Sequence, residues 1–360
     1  MKHICIDCRM WGKKYGGIGR YTKEIVVYML NNTNWEFILL CYDDAYTELR
    51  GYPNHNTNSL RHLRLCKAPL FSISAQLELY KNIPPCDLLW VPSINIPIFP
   101  TKAKKYITTI HDVFHLAHPE YYNRMKLAVL KLLIRQCVRR SDLILTVSDF
   151  SKNEIARFYG EKVMKKIKSV YNGFTPIDIR TIAQGETYGR YMLYVGNIKP
   201  HKNLKNALLG FEKYINKFNN DLNFIIVGKR EGFVTVENEI GEIVSRINCD
   251  KEFVIFAGNV NDEQLYSLYN SASLFIQPSY YEGFGIPLVE AMSFNLPIIC
   301  SDIPVFHEIC KNQVGYFDPE SPESICNAIA ENEQRERVVY EKWQSWETTA
   351  KEIIKCLETL

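Results

Sequence analysis

The chain has 360 residues, 46% of them hydrophobic and 23% charged, an ordinary globular composition that excludes a disordered, collagen-like or coiled-coil protein. At about 100–200 residues per domain, this length implies two domains. The net charge of +3 averages two unlike halves: Met1–Arg180 carries 27 Lys and Arg against 15 Asp and Glu, and Thr181–Leu360 carries 16 against 25. A basic half joined to an acidic half implies two jobs, one of them facing an anionic partner.

In chain order, the first half alternates short β-rich runs with helical patterns. Strands are predicted at His3–Asp7, Glu36–Cys41, Leu88–Val91, Tyr106–Ile110, Leu143–Val147 and Ser169–Tyr171, with helices at Gly19–Leu30, Arg124–Arg139 and Ser151–Tyr159. Thr175–Arg190, with Pro176, Gly185 and Gly189, reads as a linker. The second half has strands at Tyr191–Val195, Asn223–Val227, Phe253–Phe256, Leu274–Gln277 and Pro297–Cys300. Its helices are Asn203–Phe218, Asp262–Asn270, Pro287–Ser293 and Glu323–Asn332. Val338–Leu360 reads as one amphipathic helix. Nearly continuous apolar strands separated by helices define an α/β protein with parallel sheets covered on both faces. The expected domains are 1–180, 181–337 and a terminal helix 338–360 packing back toward the first domain. Ligands are expected in a cleft at the carboxyl ends of the strands.

The N-terminus has no apolar stretch long enough for a secretory signal, and no run of about 20 apolar residues could span a bilayer. Eleven cysteines, an odd number and mostly within apolar runs, fit reduced thiols in the cytoplasm. Cys5 and Cys8 have C-x-x-C spacing without a second pair, so a metal or redox role is not expected.

The most informative stretch is Pro278-Ser-Tyr-Tyr-Glu282-Gly283-Phe284-Gly285-Ile-Pro287-Leu-Val-Glu290-Ala-Met292. It follows a buried strand and opens a helix, with Pro287 expected at the first helical position. Gly283 and Gly285 let the backbone approach a ligand, and the helix start favours an anion. Glu282 and Glu290 flank this turn, and carboxylates accept well from paired sugar hydroxyls; alternatively they are a surface Glu and a first-turn Glu serving the helix dipole. Gly16, Gly17 and Gly19 follow the first strand and suit close approach to a diphosphate or sugar, or close helix–strand packing. The G-x-G-x-x-G dinucleotide fingerprint is not met, which disfavours a dehydrogenase. Lys202, between a strand and a helix, suits a phosphate. His111 ends a strand and precedes Asp112, whereas His115 and His118 read as loop residues.

Together these segments resemble glycosyltransferase family 4, the retaining, nucleotide-sugar-dependent enzymes with the two-domain GT-B fold. The resemblance extends through Gly16-Gly-Ile-Gly-Arg-Tyr21, Ile110-His-Asp112, Thr146-Val-Ser-Asp-Phe-Ser151, Asn172-Gly173, Gly196-Asn-Ile-Lys-Pro-His-Lys-Asn203 and Ala257-Gly-Asn-Val260. Within the family, the G-G-I-G-R-Y and G-N-x-x-P-x-K-N forms are most similar to bacterial polysaccharide mannosyltransferases. The resemblance implies that His111 sits beside the transferred sugar, that Lys202 meets the donor diphosphate, and that Glu282 and Glu290 serve the donor. It also implies that backbone around Gly258 and Val260 reads the base. Many members carry Arg where this chain has Asn197; Arg230, after the strand Asn223–Val227, is a candidate substitute for that cation, with Lys199 and Arg20 as weaker alternatives. The implied reaction needs no protein nucleophile: the leaving diphosphate takes the acceptor's proton. Asp43-Asp44 lies in a predicted loop without a partner, so neither metal nor cofactor is expected.

The donor class is a nucleotide sugar, with mannose from GDP-mannose first and UDP- or dTDP-sugars as alternatives. A GT-B epimerase or a non-catalytic sugar-nucleotide binder is the second class, since fold alone does not define function. The expected acceptor is a glycan or a polyprenyl-diphosphate-linked saccharide. Arg124, Lys126, Lys131, Arg135, Arg139 and Arg140 occur without an acid on a helix whose Leu127, Leu130, Ile134, Cys137 and Val138 form the packing face. That is either a solvated surface or an attraction to anionic lipid at the inner face of the cell membrane, with loop Pro92–Pro100 adding apolar contact or lining the acceptor site. No nucleic-acid motif accompanies the charge.

Overall fold

A computed structural model of the protein describes residues 1–52, 60–175, 188–218, 221–228 and 234–360. The chain divides into two compact units: Met1–Gly173 with Gln344–Leu360 (unit 1), and Phe174–Trp343 (unit 2). Most of the predicted linker lies outside the described residues.

Unit 1 has seven parallel strands: β1 (His3–Asp7), β2 (Glu36–Cys41), β3 (Leu60–Leu65), β4 (Cys86–Val91), β5 (Ala103–Ile110), β6 (Leu143–Thr146) and β7 (Ile167–Ser169), in the order β3-β2-β1-β4-β5-β6-β7. Ile4 lines up with Phe37 and Leu88 on one face and Cys5 with Ile38 and Leu89 on the other, all of them buried, so the central strands bury apolar side chains on both faces. The chain runs outward from β1 to β3 and then returns to β4. This reversal leaves a crevice at the carboxyl ends of β1 and β4. The helix Gly16–Asn32 after β1 buries Tyr21, Ile25, Val26 and Met29. Ser72, Asn123 and Ser148 cap later helices through their side-chain oxygens.

Unit 2 has six parallel strands: β8 (Tyr191–Val195), β9 (Asn223–Val227), β10 (Val254–Gly258), β11 (Leu274–Gln277), β12 (Ile298–Ser301) and β13 (Gly315–Phe317), in the order β10-β9-β8-β11-β12-β13. Its reversal falls between β8 and β11. The core joins Met192, Tyr194, Phe211, Phe224, Ile226 and Ile276.

Several elements differ from the sequence expectation. Strand β3 mixes apolar and basic residues as an edge strand, so it lacks the continuous apolar run of its neighbours. The last strand of unit 1 lies at Ile167–Ser169 rather than Ser169–Tyr171, paired through Ile144 and Ile167. Asp43 and Asp44 do not sit in a loop; they open the helix Asp43–Gly51 as first-turn acids. Helices Ile73–Asn82, Val234–Ile247 and Pro304–Cys310 and strand β13 were not anticipated.

The terminal helix starts at Trp346, not Val338. Residues 338–343 lie outside any helix, where the Val338 N–H donates to the Asn295 carbonyl and the Tyr340 hydroxyl to that of Leu296. Ser345 then caps the helix. The helix packs on Gly16–Asn32, with Trp346 edge-on to Tyr21. Its backbone comes so close to Gly173 that a Cβ there would lie 2.3 Å from the Trp346 nitrogen. The glycine of the Asn172-Gly173 pair is therefore a packing requirement.

Candidate active site

In unit 2, the loop after β8 and the loop after β11 flank the reversal. The first carries Gly196–Asn203; the second carries Ser279–Gly285. Lys202 does not start the following helix. It ends a short 3-10 turn (Pro200–Lys202), and Asn203, left-handed at φ 55°, leads into the helix Leu204–Phe218. This places the Lys202 ammonium against Oε1 of Glu282 as an ion pair. The same Oε1 accepts from Ser279 Oγ at 2.8 Å and Gln277 Nε2 at 3.1 Å. The Glu282 side chain is 12% exposed and that of Lys202 is 20%. Burial pushes the Glu282 carboxyl up, but Lys202 and His201 beside it, with the hydrogen bonds from Lys202 and Ser279, outweigh this and hold it below its ordinary value. The carboxylate is thus ionised, fixed through one oxygen, and its Oε2 has no hydrogen-bond partner among the described residues.

The turn behind Glu282 is built for close packing. Gly285 has φ 109°, and a Cβ there would meet Phe306 at 3.1 Å and Leu288 at 3.2 Å. The helix begins at Ile286, so Pro287 occupies its second position rather than its first. Phe284 is buried edge-on to Trp343, and Gly283 and Phe284 carry the backbone past Glu282. Glu290 is buried inside the helix, where its Oε2 accepts the Tyr269 hydroxyl at 2.9 Å. Gly258 ends β10 and Val260, half-buried, follows it. Asn197 lies in the β8 loop, its carbonyl accepting from the Tyr194 hydroxyl. Arg230 lies outside the described residues.

In unit 1, Gly16 opens its helix at φ 57° and Gly17 is exposed beside it. Gly19 has a packing role: a Cβ would lie 1.9 Å from the Gly12 carbonyl oxygen. His111 directly follows β5, and its Nε2 is 3.0 Å from the Pro92 carbonyl at the end of β4. The Tyr21 ring meets it edge-on at 4.8 Å. Burial lowers the His111 pKa from 6.5, against the opposing pull of Pro92 and Asp112. Tyr21 and Trp90 both bond to Thr109 Oγ1, which fixes the ring against His111. Tyr21, Gln277 and Ser279 were not singled out from the sequence; only their adjacency to Gly16–Gly19 and Glu282 hinted at them. His115 is buried in the short helix Phe114–Ala117 rather than in a loop, and His118 bonds Glu120.

The basic helix Arg124–Arg140 buries Leu133, Ile134 and Cys137, while Leu127, Leu130 and Val138 are half-buried. Met125 (81% exposed), Val129 and Leu132 form an additional exposed apolar line among the cations. Arg140 does not belong to that surface, since its guanidinium bonds the carbonyls of Pro97, Ile98 and Phe99. In loop Pro92–Pro100, Ile96 is core and Phe99 is exposed. No described helix is long and apolar enough to cross a membrane. All eleven cysteines are free, and Cys5 and Cys8 are buried.

Two doubly wound parallel sheets covered by helices are the elements of the GT-B glycosyltransferase fold. The solved structure of HepE from Anabaena, in complex with UDP and glucose, has this fold: TM-score 0.74 at 17% identity, covering 100% of both chains. The family model for Glycosyltransferase Family 4 matches residues 15–176, and that for Glycosyl transferases group 1 matches residues 180–353. The chain therefore carries a Glycosyltransferase Family 4 domain followed by a glycosyl transferases group 1 domain, and it is a glycosyltransferase. The O-antigen chain mannosyltransferase RfbU of Salmonella typhimurium is 29% identical over 92% of this chain and 91% of its own. The O-antigen chain mannosyltransferase B of Escherichia coli is 26% identical over 88% and 87%.

Proposed function

We propose that this glycosyltransferase is a retaining mannosyltransferase that moves mannose from GDP-mannose to a glycan or polyprenyl-diphosphate-linked saccharide during cell-surface polysaccharide synthesis. The observation that carries it is the Lys202–Glu282 pair at the reversal of unit 2. The pair holds a cation for a departing diphosphate beside a carboxylate whose second oxygen is open to a sugar hydroxyl. Mannose is favoured because two relatives aligned over nearly the whole chain are named O-antigen chain mannosyltransferases. A nucleotide-sugar donor agrees with the UDP and UDP-glucose named for structures of HepE.

In this reading, Lys202 and the backbone of the glycine turns stabilise charge on the leaving diphosphate, an electrostatic contribution that grows as water is excluded. Asn197 belongs to the same donor pocket, with Arg230 kept as the candidate for the cation that Asn197 does not supply; Gly258 and Val260 line the base, and Glu290 holds the end of the donor through its buried carboxylate. Gly16, Gly17, Gly19 and His111 in unit 1 serve the reacting sugar and the acceptor. His111 is neutral near pH 7 and can accept from or donate to a hydroxyl there. Neither metal nor cofactor takes part, so EDTA leaves the rate unchanged; a loss restored by added divalent ions would overturn that. The enzyme works in the cytoplasm at the membrane's inner face. Its unpaired cations and the Met125, Val129 and Leu132 line there meet anionic lipid.

The test is a donor screen on purified protein with and without a lipid-linked oligosaccharide, read as nucleotide release and product mass. GDP release with a gain of one hexose supports the reading. Transfer from a UDP- or dTDP-sugar in its place overturns the mannose donor, and absence of transfer from every nucleotide sugar points to a binder.

A further inference from the structure

Beyond the carboxyl ends of β1, β2 and β3, unit 1 contains an open cavity of about 550 Å³, within the usual range for small-ligand sites. It is lined by Arg9, Trp11, Lys14, Tyr15, Tyr42 and Asp44, among others. Arg9, 1% exposed, is locked by a two-pronged pair with Asp7 at 2.8 and 2.7 Å, while its Nη1 is buried without a partner. A buried donor left unpaired carries an uncompensated desolvation cost, so a ligand oxygen placed there would recover it.

The charges in this cavity nearly cancel. Arg9 is matched by Asp7, and Glu48 is held by Lys23 and by Trp11 Nε1 at 2.8 Å. Lys14 and Asp44 remain, with opposite signs. Such a lining has no excess cation for a phosphate or diphosphate. It does offer what a pyranose needs: an Asp44 carboxylate with no bond or ion pair among the described residues, the Arg9 donor, and the half-buried ring of Tyr15 for the apolar face of the sugar. Burial, and then Asp44, raise the Tyr15 hydroxyl above its ordinary pKa, so it stays a donor at neutral pH. The Tyr42 hydroxyl is already committed to the Ala68 carbonyl at 2.6 Å, which fixes that wall.

We propose that this cavity is a saccharide subsite in which Asp44, Tyr15 and Arg9 bind an uncharged hexose residue of the acceptor. The proposal rests on the reading that unit 1 receives the acceptor, and it assigns recognition there to the glycan rather than to a lipid diphosphate.

The test uses the full chain, with α-linked mannobiose and inorganic diphosphate as probes, followed by saturation-transfer NMR. Mannobiose is expected to bind saturably, to resist displacement by diphosphate, and to lose about tenfold in affinity in both Asp44→Asn and Tyr15→Ala. Both positions lie at the surface or half-buried, and thermal melts confirm that each variant folds. Absence of mannobiose binding, displacement by diphosphate, or unchanged affinity in both variants would overturn the subsite. GDP-mannose binding to the wild-type protein is measured separately: its failure beside intact mannobiose binding sinks the donor reading and leaves the subsite standing.

Discussion

Beside the reversal of unit 1, at the carboxyl end of β5, His111 is kept neutral by burial against one carbonyl and one aromatic ring. At the reversal of unit 2, Glu282 is kept ionised by Lys202, despite comparable shielding from water. The same topological rule thus places two sites of opposite electrostatic character. The unit richer in cations holds an uncharged side chain beside its reversal, and the unit richer in acids holds a shielded lysine–carboxylate ion pair at its own. Net charge over a domain describes its outer surface, whereas the proposed function rests on which charges are fixed at one strand end.

The largest effect expected from breaking this contrast comes from the ion pair. Glu282→Ala should leave transfer below about one-thousandth of wild type, and Lys202→Ala should lower kcat by about 10²–10³-fold. His111→Ala should cost less, because no fixed charge is removed. Steady-state assays with the same donor and acceptor decide the ranking; equal losses would abolish the distinction between the two sites.

Next in size is a structural break in unit 1. Gly19→Ala places a carbon 1.9 Å from a backbone oxygen that no side-chain rotation can clear. It should destabilise by about 3 kcal/mol, read as a fall in Tm. The corresponding substitution at Gly16 meets no neighbouring atom but has φ 57°. Gly16→Ala should therefore cost only about 1 kcal/mol of backbone strain. Similar losses at both sites would show that conformation, not the Gly12–Gly19 approach, sets the requirement.

These particulars show what the sequence exposes and what it hides. The central strands were legible because their apolar runs are continuous, and Glu282, Lys202 and His111 were legible because each follows such a run. Edge strand β3 and the helix Asp43–Gly51 were not, since Leu60-Arg-His-Leu-Arg-Leu65 breaks strict alternation with two adjacent basic residues and a pair of acids marks no face. The Lys202–Glu282 pair joins residues 80 positions apart, and no local pattern announces it. Nothing in the sequence marks Gln277 and Ser279 as donors to the same Glu282 oxygen. Arg140, counted with the basic surface, turned inward to carbonyls that only the folded loop brings near.

A smaller effect separates the surface of unit 1 from its site. Lys131→Gln and Arg135→Gln should each weaken binding to vesicles containing anionic lipid by about fivefold without altering affinity for neutral vesicles. Flotation that ignores lipid charge would remove the electrostatic role and leave the helix as a solvated surface.

The smallest effect is on stability against pH, and its sign differs in range between the units. His111 has a folded pKa below the usual 6.5, so the unfolded chain takes up the proton first. Stability is lost as pH falls from 6.5 toward the folded value. Glu282 also has a lowered pKa, but its unfolded value is 4.5. Its contribution is complete above 4.5 and disappears only as pH falls through the folded value. Between pH 6.5 and 5, acid should therefore weaken unit 1 through His111 while the Glu282 pair is unaffected. His111→Gln should flatten that part of the stability curve, and Glu282→Gln should not. Denaturant melts at pH 7, 6 and 5 measure this directly. A slope over that range that persists in His111→Gln would assign it to another buried base, of which His115, its pKa also lowered by burial, is the nearest in sequence.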